Sequence, residues 1–283
     1  MTKAIKINNW KMLIAIPFMV TMMAPSLQGA NGPGDQSQTI TDGFSSNTSS
    51  GEKSHIVFLV SEDPDNYEAH RTIPPFADML EKEEGFQVTV IQGKGERHAF
   101  SFPGLAVLSE ADLVVVFCRR IALPNEQMDM IRNYLKQGKP LVGIRTANHA
   151  FSVREEKIPA GYEDWWEFVP DILGAENRGY GPTELGTEVT IAPGAKGHPI
   201  LAGFEPARWH SEGNVYLVAP LLDQEAEVLL TGKAGDKTEP IAWTRDSEGS
   251  RVFYTSLGYP KDFEVPQFRK LLINGINWAL DLE

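Results

Sequence analysis

Apolar runs alternate with segments of helical periodicity along the first half of the chain. Residues 55–60 (HIVFLV) form a continuous apolar run, which is typical of a strand covered on both faces. Residues 113–118 (LVVVFC) are the most apolar run after residue 30 and are predicted to form the central strand. Strands that alternate with helices in this way predict an α/β fold with a parallel sheet between layers of helices.

The same pattern predicts the other elements. Ile73, Phe76 and Leu80 recur at helical spacing and Gly85 is placed to end that helix, while Pro124 opens and Gly138 closes a second helix. A last helix is predicted over 265–280. The remaining predicted strands are 86–91, 139–144, 187–191, 227–230, 240–244 and 251–256.

The N-terminal segment has a different composition from the rest of the chain. Within residues 1–30, Lys3, Lys6 and Lys11 are the only charges, and an apolar run over 12–24 follows them. This arrangement predicts a cleaved signal peptide rather than a stable membrane span, and therefore a periplasmic or secreted protein. Residues 31–53 are predicted to be a disordered, low-complexity leader, and residues 54–283 a single folded domain.

Composition then excludes several classes of function. The 283 residues include 38 acidic and 26 basic side chains, a net charge of -12, and loss of residues 1–30 would change it to -15. Such a balance argues against nucleic-acid binding. Cys118 is the only cysteine, so a disulfide framework and a multi-thiolate cluster are excluded, and we expect no metal or other cofactor.

Polar side chains follow three of the predicted strands. Because ligands bind beyond the carboxyl ends of strands in open parallel sheets, these residues are the candidates for a site. They are Glu62 and Tyr67 after the first strand, Arg119 and Arg120 after the central strand, and Arg145, Thr146 and His149 after the next.

Arg145 occupies the most informative of these positions. A strand ending in Pro-Leu-Val-Gly-Ile, followed by a polar residue at a turn into a helix, resembles the nucleophile elbow of class I glutamine amidotransferases. In that family the residue at the turn is the catalytic cysteine. An arginine cannot attack a carbonyl, so amidotransferase chemistry is excluded here. Cys118 ends a different strand and is interpreted as a small buried hydrophobic residue.

Four segments give a closer resemblance: 58–75 (FLVSEDPDNYEAHRTIPP), 111–120 (ADLVVVFCRR), 138–151 (GKPLVGIRTANHAF) and 251–278, which contains YTSLG and LLINGINWAL. Together they resemble the ThuA-like, or trehalose-utilisation, family. The resemblance implies a flavodoxin-like, class I glutamine amidotransferase-like three-layer sandwich with a mainly parallel central sheet. It also implies a carbohydrate ligand, such as a disaccharide, a glycoside or a keto-sugar.

The chain departs from the pattern of that family at two places. Relatives commonly carry a histidine-rich loop where this chain has 173–182 (LGAENRGYGP), and they often have histidine where Tyr259 follows Leu257 and Gly258. A metal or acid-base role that depends on those histidines is therefore not expected. His149 and His210 remain, and two imidazoles far apart in sequence make a weak metal site.

The candidate residues allow two interpretations. In the first, Glu62 and His149 act in acid-base roles and Arg145 stabilises negative charge. In the second, Arg145 forms a structural ion pair with Glu62 or Asp63, and His149 packs beside Phe151. Substrate-binding roles are assigned to Tyr67, Arg119, Arg120, Thr146, Tyr180, His210 and Tyr259.

Two functions follow from these interpretations. The first is a carbohydrate-active enzyme, a hydrolase or an isomerase, and the second is a non-catalytic sugar-binding protein on a degenerate amidotransferase-like scaffold. The enzyme hypothesis requires Glu62, Arg145 and His149 to converge on one pocket. The expected partner is a small-molecule carbohydrate, and a homo-oligomer remains open.

Overall fold

The apolar runs of the sequence pair side by side in one large sheet. The structure, a computed structural model, describes residues 53–282, which belong to a unit spanning 50–283. Its strands are β1 (His55–Ser61), β2 (Gln87–Glu96), β3 (Ala99–Ser101), β4 (Leu113–Phe117), β5 (Leu123–Pro124), β6 (Leu141–Ile144), β7 (Tyr162–Glu163), β8 (Thr187–Ile191), β9 (Arg208–Ser211), β10 (Glu227–Ala234), β11 (Lys237–Ser247) and β12 (Ser250–Thr255). The α-helices are α1 (Ala69–Met79), α2 (Asn125–Lys136) and α3 (Pro266–Ala279).

Ten strands form the sheet in the order β3-β2-β1-β4-β6-β12-β11-β10-β8-β9. Strands β2, β1, β4, β6 and β12 are mutually parallel, and the strands on either side of them are antiparallel. If these five parallel strands are renumbered 1 to 5 in chain order, their order across the sheet is 2-1-3-4-5. This is the strand order of flavodoxin. The predicted α/β class is thus confirmed, but the sheet is mixed because an antiparallel half extends the parallel one.

Alternate residues of each parallel strand point to opposite faces of the sheet. Phe58 packs with Phe76 of α1 and Phe268 of α3 on one face, whereas Leu59 packs with Met128 of α2 on the other. Burial on both faces explains why these strands are continuously apolar. The prediction that residues 113–118 form the central strand is confirmed, since β4 is the middle strand of the parallel set.

The polar edge strands were not predicted from the sequence. Strand β9 has the sequence RWHS with only Ser211 buried, and β3 has only three residues, so neither carries an apolar run. Strand β2 extends to Glu96 because its last three residues pair with β3, and Gly95 within that hairpin has a left-handed φ of 116°.

The predictions for the N-terminus lie outside the described residues. These are the signal peptide over 1–30 and all but the last residue of the leader over 31–53. Among residues 53–282, no helix combines the length and the apolar character that crossing a bilayer requires.

Candidate functional site

A sharp turn at the carboxyl end of β6 builds the centre of the candidate site. The chain passes from Ile144 into a short 3-10 helix, Arg145–His149. Arg145 has a φ of 44°, a left-handed conformation that strains a residue with a side chain. The hydroxyl of Tyr254 donates a 2.8 Å hydrogen bond to the carbonyl of Arg145 and helps to hold this turn.

The guanidinium of Arg145 is buried, with only 1% of the residue exposed. Its Nη1 donates to the carbonyl of Ser256 and its Nη2 to Oδ1 of Asn214, each at 2.8 Å. No carboxylate among the described residues forms a salt bridge with it. The alternative that Arg145 pairs with Glu62 or Asp63 is therefore wrong.

Aromatic rings take the place of a carboxylate around Arg145. The guanidinium carbon lies 3.9 Å from the ring centre of Tyr67, 4.9 Å from that of Tyr216 and 5.8 Å from that of Tyr259. Ring faces attract a desolvated cation, so this tyrosine cage offsets part of the cost of burying the charge. Tyr67 and Tyr259 are half-buried and separate Arg145 from solvent.

The carboxylate of Asp63 belongs to a separate group of charges. Arg97 donates to it through Nε at 2.5 Å and Nη2 at 2.8 Å, and Nη1 of Arg119 lies 3.8 Å away. Burial alone would raise the pKa of Asp63, but the hydrogen bonds from Arg97 and from the backbone of Asp65 outweigh it and lower that pKa. Arg119 therefore helps to order the loop after β1.

Asn66 joins the ends of three parallel strands. Its amide nitrogen donates to the carbonyls of Ser61 at 2.8 Å and Phe117 at 2.9 Å, and its Oδ1 accepts from Thr146 at 2.5 Å. Thr146 is fully buried. The structure thus places Thr146 in the scaffold that fixes the turn, away from the cleft described below.

His149 is buried but lines a cleft. Its Nδ1 lies 2.5 Å from Oδ1 of Asn148 and 3.0 Å from Nδ2 of Asn177. Oδ1 of Asn148 can only accept a proton from Nδ1, whereas Nδ2 of Asn177 can only donate to it. The contact with Oδ1 is the shorter of the two and favours a proton on Nδ1, which leaves the lone pair on Nε2. Burial, aided by four nearby arginines, holds the pKa of His149 well below its usual value of 6.5, so the ring is neutral at neutral pH. These arginines are Arg119, Arg120, Arg145 and Arg154.

The cleft has a volume of about 300 Å³. The exposed ring of Trp166 stands on one side, and Nδ2 of Asn148 is a buried donor with no hydrogen-bond partner in the described structure. The full lining is Asn148, His149, Ser152, Arg154, Trp166, Val169, Pro170, Glu176 and Asn177. An aromatic face beside amide groups and a neutral imidazole suits a polar, ring-shaped ligand.

A larger cavity of about 440 Å³ lies beside α2. Its two arginines are already engaged, because Arg132 binds Glu163 at 2.8 Å and Arg245 binds Asp223 at 2.6 Å. It also lacks a histidine. The smaller cleft at the strand ends is therefore the better candidate for a functional site.

Arg120 and Tyr180 neighbour residues of the cleft without lining it. Arg120 is 6% exposed, and its Nη1 lies 3.3 Å from the carbonyl of Ser152, a cleft residue. Burial lowers the pKa of Arg120, while the neighbouring Tyr180 opposes that shift. The ring of Tyr180 also stands 6.3 Å from that of His149. Both residues therefore lie behind the imidazole.

The structure brings Arg145 and His149 together through one shared neighbour. The ring of Tyr216 contacts the Arg145 guanidinium and lies 5.9 Å from the imidazole of His149. Tyr67 and Tyr259 belong to the same group as cage residues. Arg145 itself does not line the cleft, because the tyrosine cage encloses it.

Glu62 and His210 do not reach this group. The carboxylate of Glu62 is exposed and lies 3.9 Å from Nε2 of His70. Successive residues of an extended chain point in opposite directions, so Asp63, and not Glu62, turns inward. His210 is exposed on the edge strand β9, where it contacts Glu188 at 2.6 Å. Glu62, Arg145 and His149 therefore do not converge on one pocket, which the enzyme hypothesis in its three-residue form requires. Of the three, only His149 lines the cleft.

Sequence reasoning missed several residues around the site, among them Asn66, Arg154, Asn177, Asn214 and Tyr216. They lie in loops, where neither periodicity nor a motif singles out one amide or one tyrosine. The aromatic-rich stretch near Trp166 was a usable indication, because sugar-binding clefts favour aromatic faces beside polar groups.

The described features agree with the result of a family comparison. A family model for ThuA, described as trehalose utilisation, matches residues 57–279. The chain belongs to the ThuA family. The match covers the turn at Arg145, the cleft, all of α3 and the sheet except the first two residues of β1.

Solved structures show the same ThuA fold. A ThuA-like protein from Bacteroides uniformis is 16% identical with a TM-score of 0.61, and the match covers 84% of this chain and 95% of that one. A ThuA-like protein from Parabacteroides merdae is 17% identical with a TM-score of 0.59, over 82% and 91%. A cytoplasmic protein from Salmonella typhimurium is 12% identical with a TM-score of 0.54, over 80% and 99%. No curated protein sequence matches the chain.

Proposed function

We propose that this ThuA family member binds a carbohydrate in the cleft beside His149 and acts on it with His149 as the acid-base group. The observation that carries the proposal is the state of His149: it is neutral, one nitrogen is fixed by Asn148, and it lines an open cleft. The family description, trehalose utilisation, supports a sugar as the ligand.

The walls of the cleft suit a sugar ring. The ring of Trp166 is 47% exposed, and its Nε1 donates to Asp164 at 2.7 Å, which holds the indole in place. A fixed aromatic face can stack on the C–H face of a pyranose. Asn148 and Asn177 supply amide groups for hydroxyls on the opposite side.

The chemistry follows from the tautomer of His149. The lone pair on Nε2 can accept a proton from a sugar hydroxyl or from a carbon next to a keto group, and can return it later. Negative charge that develops on the sugar would be stabilised by the surrounding arginines. A low pKa keeps the imidazole in its basic form over a wide range of pH.

A non-catalytic sugar-binding protein is the second candidate. One observation favours it: Glu176 is the only carboxylate that lines the cleft within the described residues, and it is paired with Arg178 at 2.8 Å. The cleft therefore lacks the free carboxylate pair that glycoside hydrolysis ordinarily uses. Among catalytic roles, proton transfer by one histidine fits the cleft better than two-carboxylate hydrolysis.

A ligand and turnover screen tests both candidates. Trehalose, other disaccharides and their keto forms would be added to the purified protein, with binding followed by thermal shift and products by chromatography. We expect binding that Trp166→Ala weakens about tenfold, and turnover that His149→Gln reduces at least about a hundredfold. His55→Gln, at the amino end of β1, is the matched control and should change neither.

Three outcomes separate the candidates. Binding with turnover that depends on His149 supports the enzyme. Binding without any product supports the sugar-binding protein. Absence of binding across neutral, oxidised and acidic sugars would show that the cleft does not serve a carbohydrate.

We further propose that the protein works outside the cytosol. The support is the charge and apolar pattern of residues 1–30, which is that of a signal peptide.

A further inference from the structure

The surroundings of the cleft contain more positive charge than the protein neutralises. Among the described residues, Arg120, Arg145 and Arg154 form no salt bridge with any carboxylate. Arg97 and Arg119 share Asp63 and Asp65, and Arg178 pairs with Glu176, so those charges balance locally. Three guanidiniums without a salt bridge are an unusual concentration on a chain of net charge -12.

Two of the three arginines are also buried, so their charges are removed from water at a cost in folding free energy. Arg120 is 6% exposed and Arg145 is 1% exposed. A buried charge without a counter-ion lowers stability unless other groups compensate. For Arg145, the rings of the tyrosine cage compensate the buried charge. Arg120 has only the carbonyl and hydroxyl of Ser152 and the neighbouring Tyr180.

The third arginine faces the ligand directly. Arg154 is exposed, lines the cleft and makes no hydrogen bond or ion pair with the described protein. Nδ2 of Asn148, which lines the same cleft, is a second donor without a partner, and it is buried. The one carboxylate among the described lining residues, Glu176, is already paired with Arg178 at 2.8 Å. Two unpaired donors on the same cleft favour an acceptor-only group, which is what a carboxylate is.

We propose that the sugar taken by this cleft carries a carboxylate, as a uronic acid does. The carboxylate binds Arg154 and Nδ2 of Asn148, in the positive field of Arg120, and the pyranose ring stacks on Trp166. This assignment rests on the proposed sugar-binding function and adds the charge of the substrate to it. The depressed pKa of His149 is consistent with such a field, because the same guanidiniums oppose protonation of the imidazole.

The test compares acidic sugars with neutral counterparts that differ only at C6. Titration calorimetry of the full chain would use glucuronate against glucose and galacturonate against galactose, at about 10 mM and about 300 mM salt. We expect the uronates to bind at least about tenfold more tightly at low salt, with the advantage shrinking at high salt.

Arg154→Gln is the informative variant, since an exposed side chain can be replaced without affecting folding. It should remove most of the uronate advantage and leave affinity for the neutral sugars within about twofold. Arg208→Gln, an exposed arginine on β9, is the control for the same change in net charge and should keep the full advantage.

Each result is decisive. Equal affinity for uronates and neutral sugars would overturn the carboxylate proposal and leave the sugar-binding function intact. No binding in either series would overturn both. Inorganic phosphate that binds as tightly as glucuronate would show a general anion site, and so would also overturn the assignment to an acidic sugar.

Discussion

At the scale of single residues, the electrostatic environment of His149 sets how the protein responds to pH. The imidazole is buried among guanidiniums, so its pKa in the folded protein lies well below the 6.5 of an unperturbed histidine. The unfolded chain therefore binds this proton at a higher pH than the folded chain does. The contribution to stability is present above pH 6.5 and is lost as the pH falls towards the folded pKa.

His149→Gln should reveal this coupling. For the native protein, His149 should lower the free energy of unfolding by up to about 1.4 kcal/mol for each pH unit below 6.5, and the variant should lack that component. Urea unfolding from pH 7 down to pH 5 measures the difference between the two slopes. Parallel curves for native protein and His149→Gln would contradict a depressed pKa.

Arg145 should be irreplaceable by lysine. Its planar head donates to Ser256 and Asn214 while it stacks on Tyr67, and an ammonium group cannot do all three. Arg145→Lys should therefore lower the free energy of unfolding by about 1–3 kcal/mol. Arg208→Lys, on the exposed face of β9, should stay within about 0.5 kcal/mol. Chemical unfolding measures both, and equal stabilities would refute the cage as a structural requirement.

The sequence located Arg145 but did not reveal its surroundings. The pattern of a strand, a Gly-Ile pair and a turn is local, so it places residue 145 at a strand end from sequence alone. The cage depends on Tyr67, Tyr216 and Tyr259, which come from three loops far apart in the chain. Nothing local in the sequence shows that these rings meet, and this is why an ion pair was an open alternative.

At the scale of elements, burial decides which strands and helices can be predicted. Strands β1 and β4 are covered on both faces, and their continuous apolar runs identify them. The same holds for α3, observed over Pro266–Ala279 and predicted over 265–280. Edge strands such as β9 pair on one side and face solvent, so their composition is that of a loop.

At Gly275, α3 lies directly against β12 of the sheet. A Cβ added there would lie 2.3 Å from Cδ1 of Phe253 on β12, and both residues are buried. Alanine normally stabilises a helix by about 1 kcal/mol over glycine. Here we expect Gly275→Ala to destabilise the protein by about 1–3 kcal/mol, because the ring of Phe253 must move.

The sign of that effect is the test. Thermal unfolding of Gly275→Ala should show a lower Tm than the native protein. Asn277→Ala, at a partly exposed position of the same helix, is the control for helix propensity and should not lower Tm to a comparable extent. A Gly275→Ala protein more stable than native would mean that the helix packs less closely on β12 than the structure indicates.

At the scale of the whole molecule, two properties of the chain are compatible with the proposed work outside the cytosol. The net charge of -12 would become -15 on loss of residues 1–30, since Lys3, Lys6 and Lys11 are the only charges there. A strongly acidic protein remains soluble without help from a partner. The single cysteine, Cys118, is fully buried and its thiol donates to the carbonyl of Leu59, so an oxidising compartment offers it no disulfide partner.

Export with cleavage can be measured directly. When the full-length gene is expressed in a bacterium with a general secretion pathway, we expect the protein in the periplasm or medium, with an intact mass that lacks about the first thirty residues. Replacing Lys3, Lys6 and Lys11 by glutamine should slow export, because the positive n-region orients the apolar run. Deleting 35–50 should leave export unchanged, since that segment carries none of those features. An exported protein of full-length mass would contradict cleavage. Retention in the cytosol would contradict export, and the ligand of the cleft would then be a cytosolic compound.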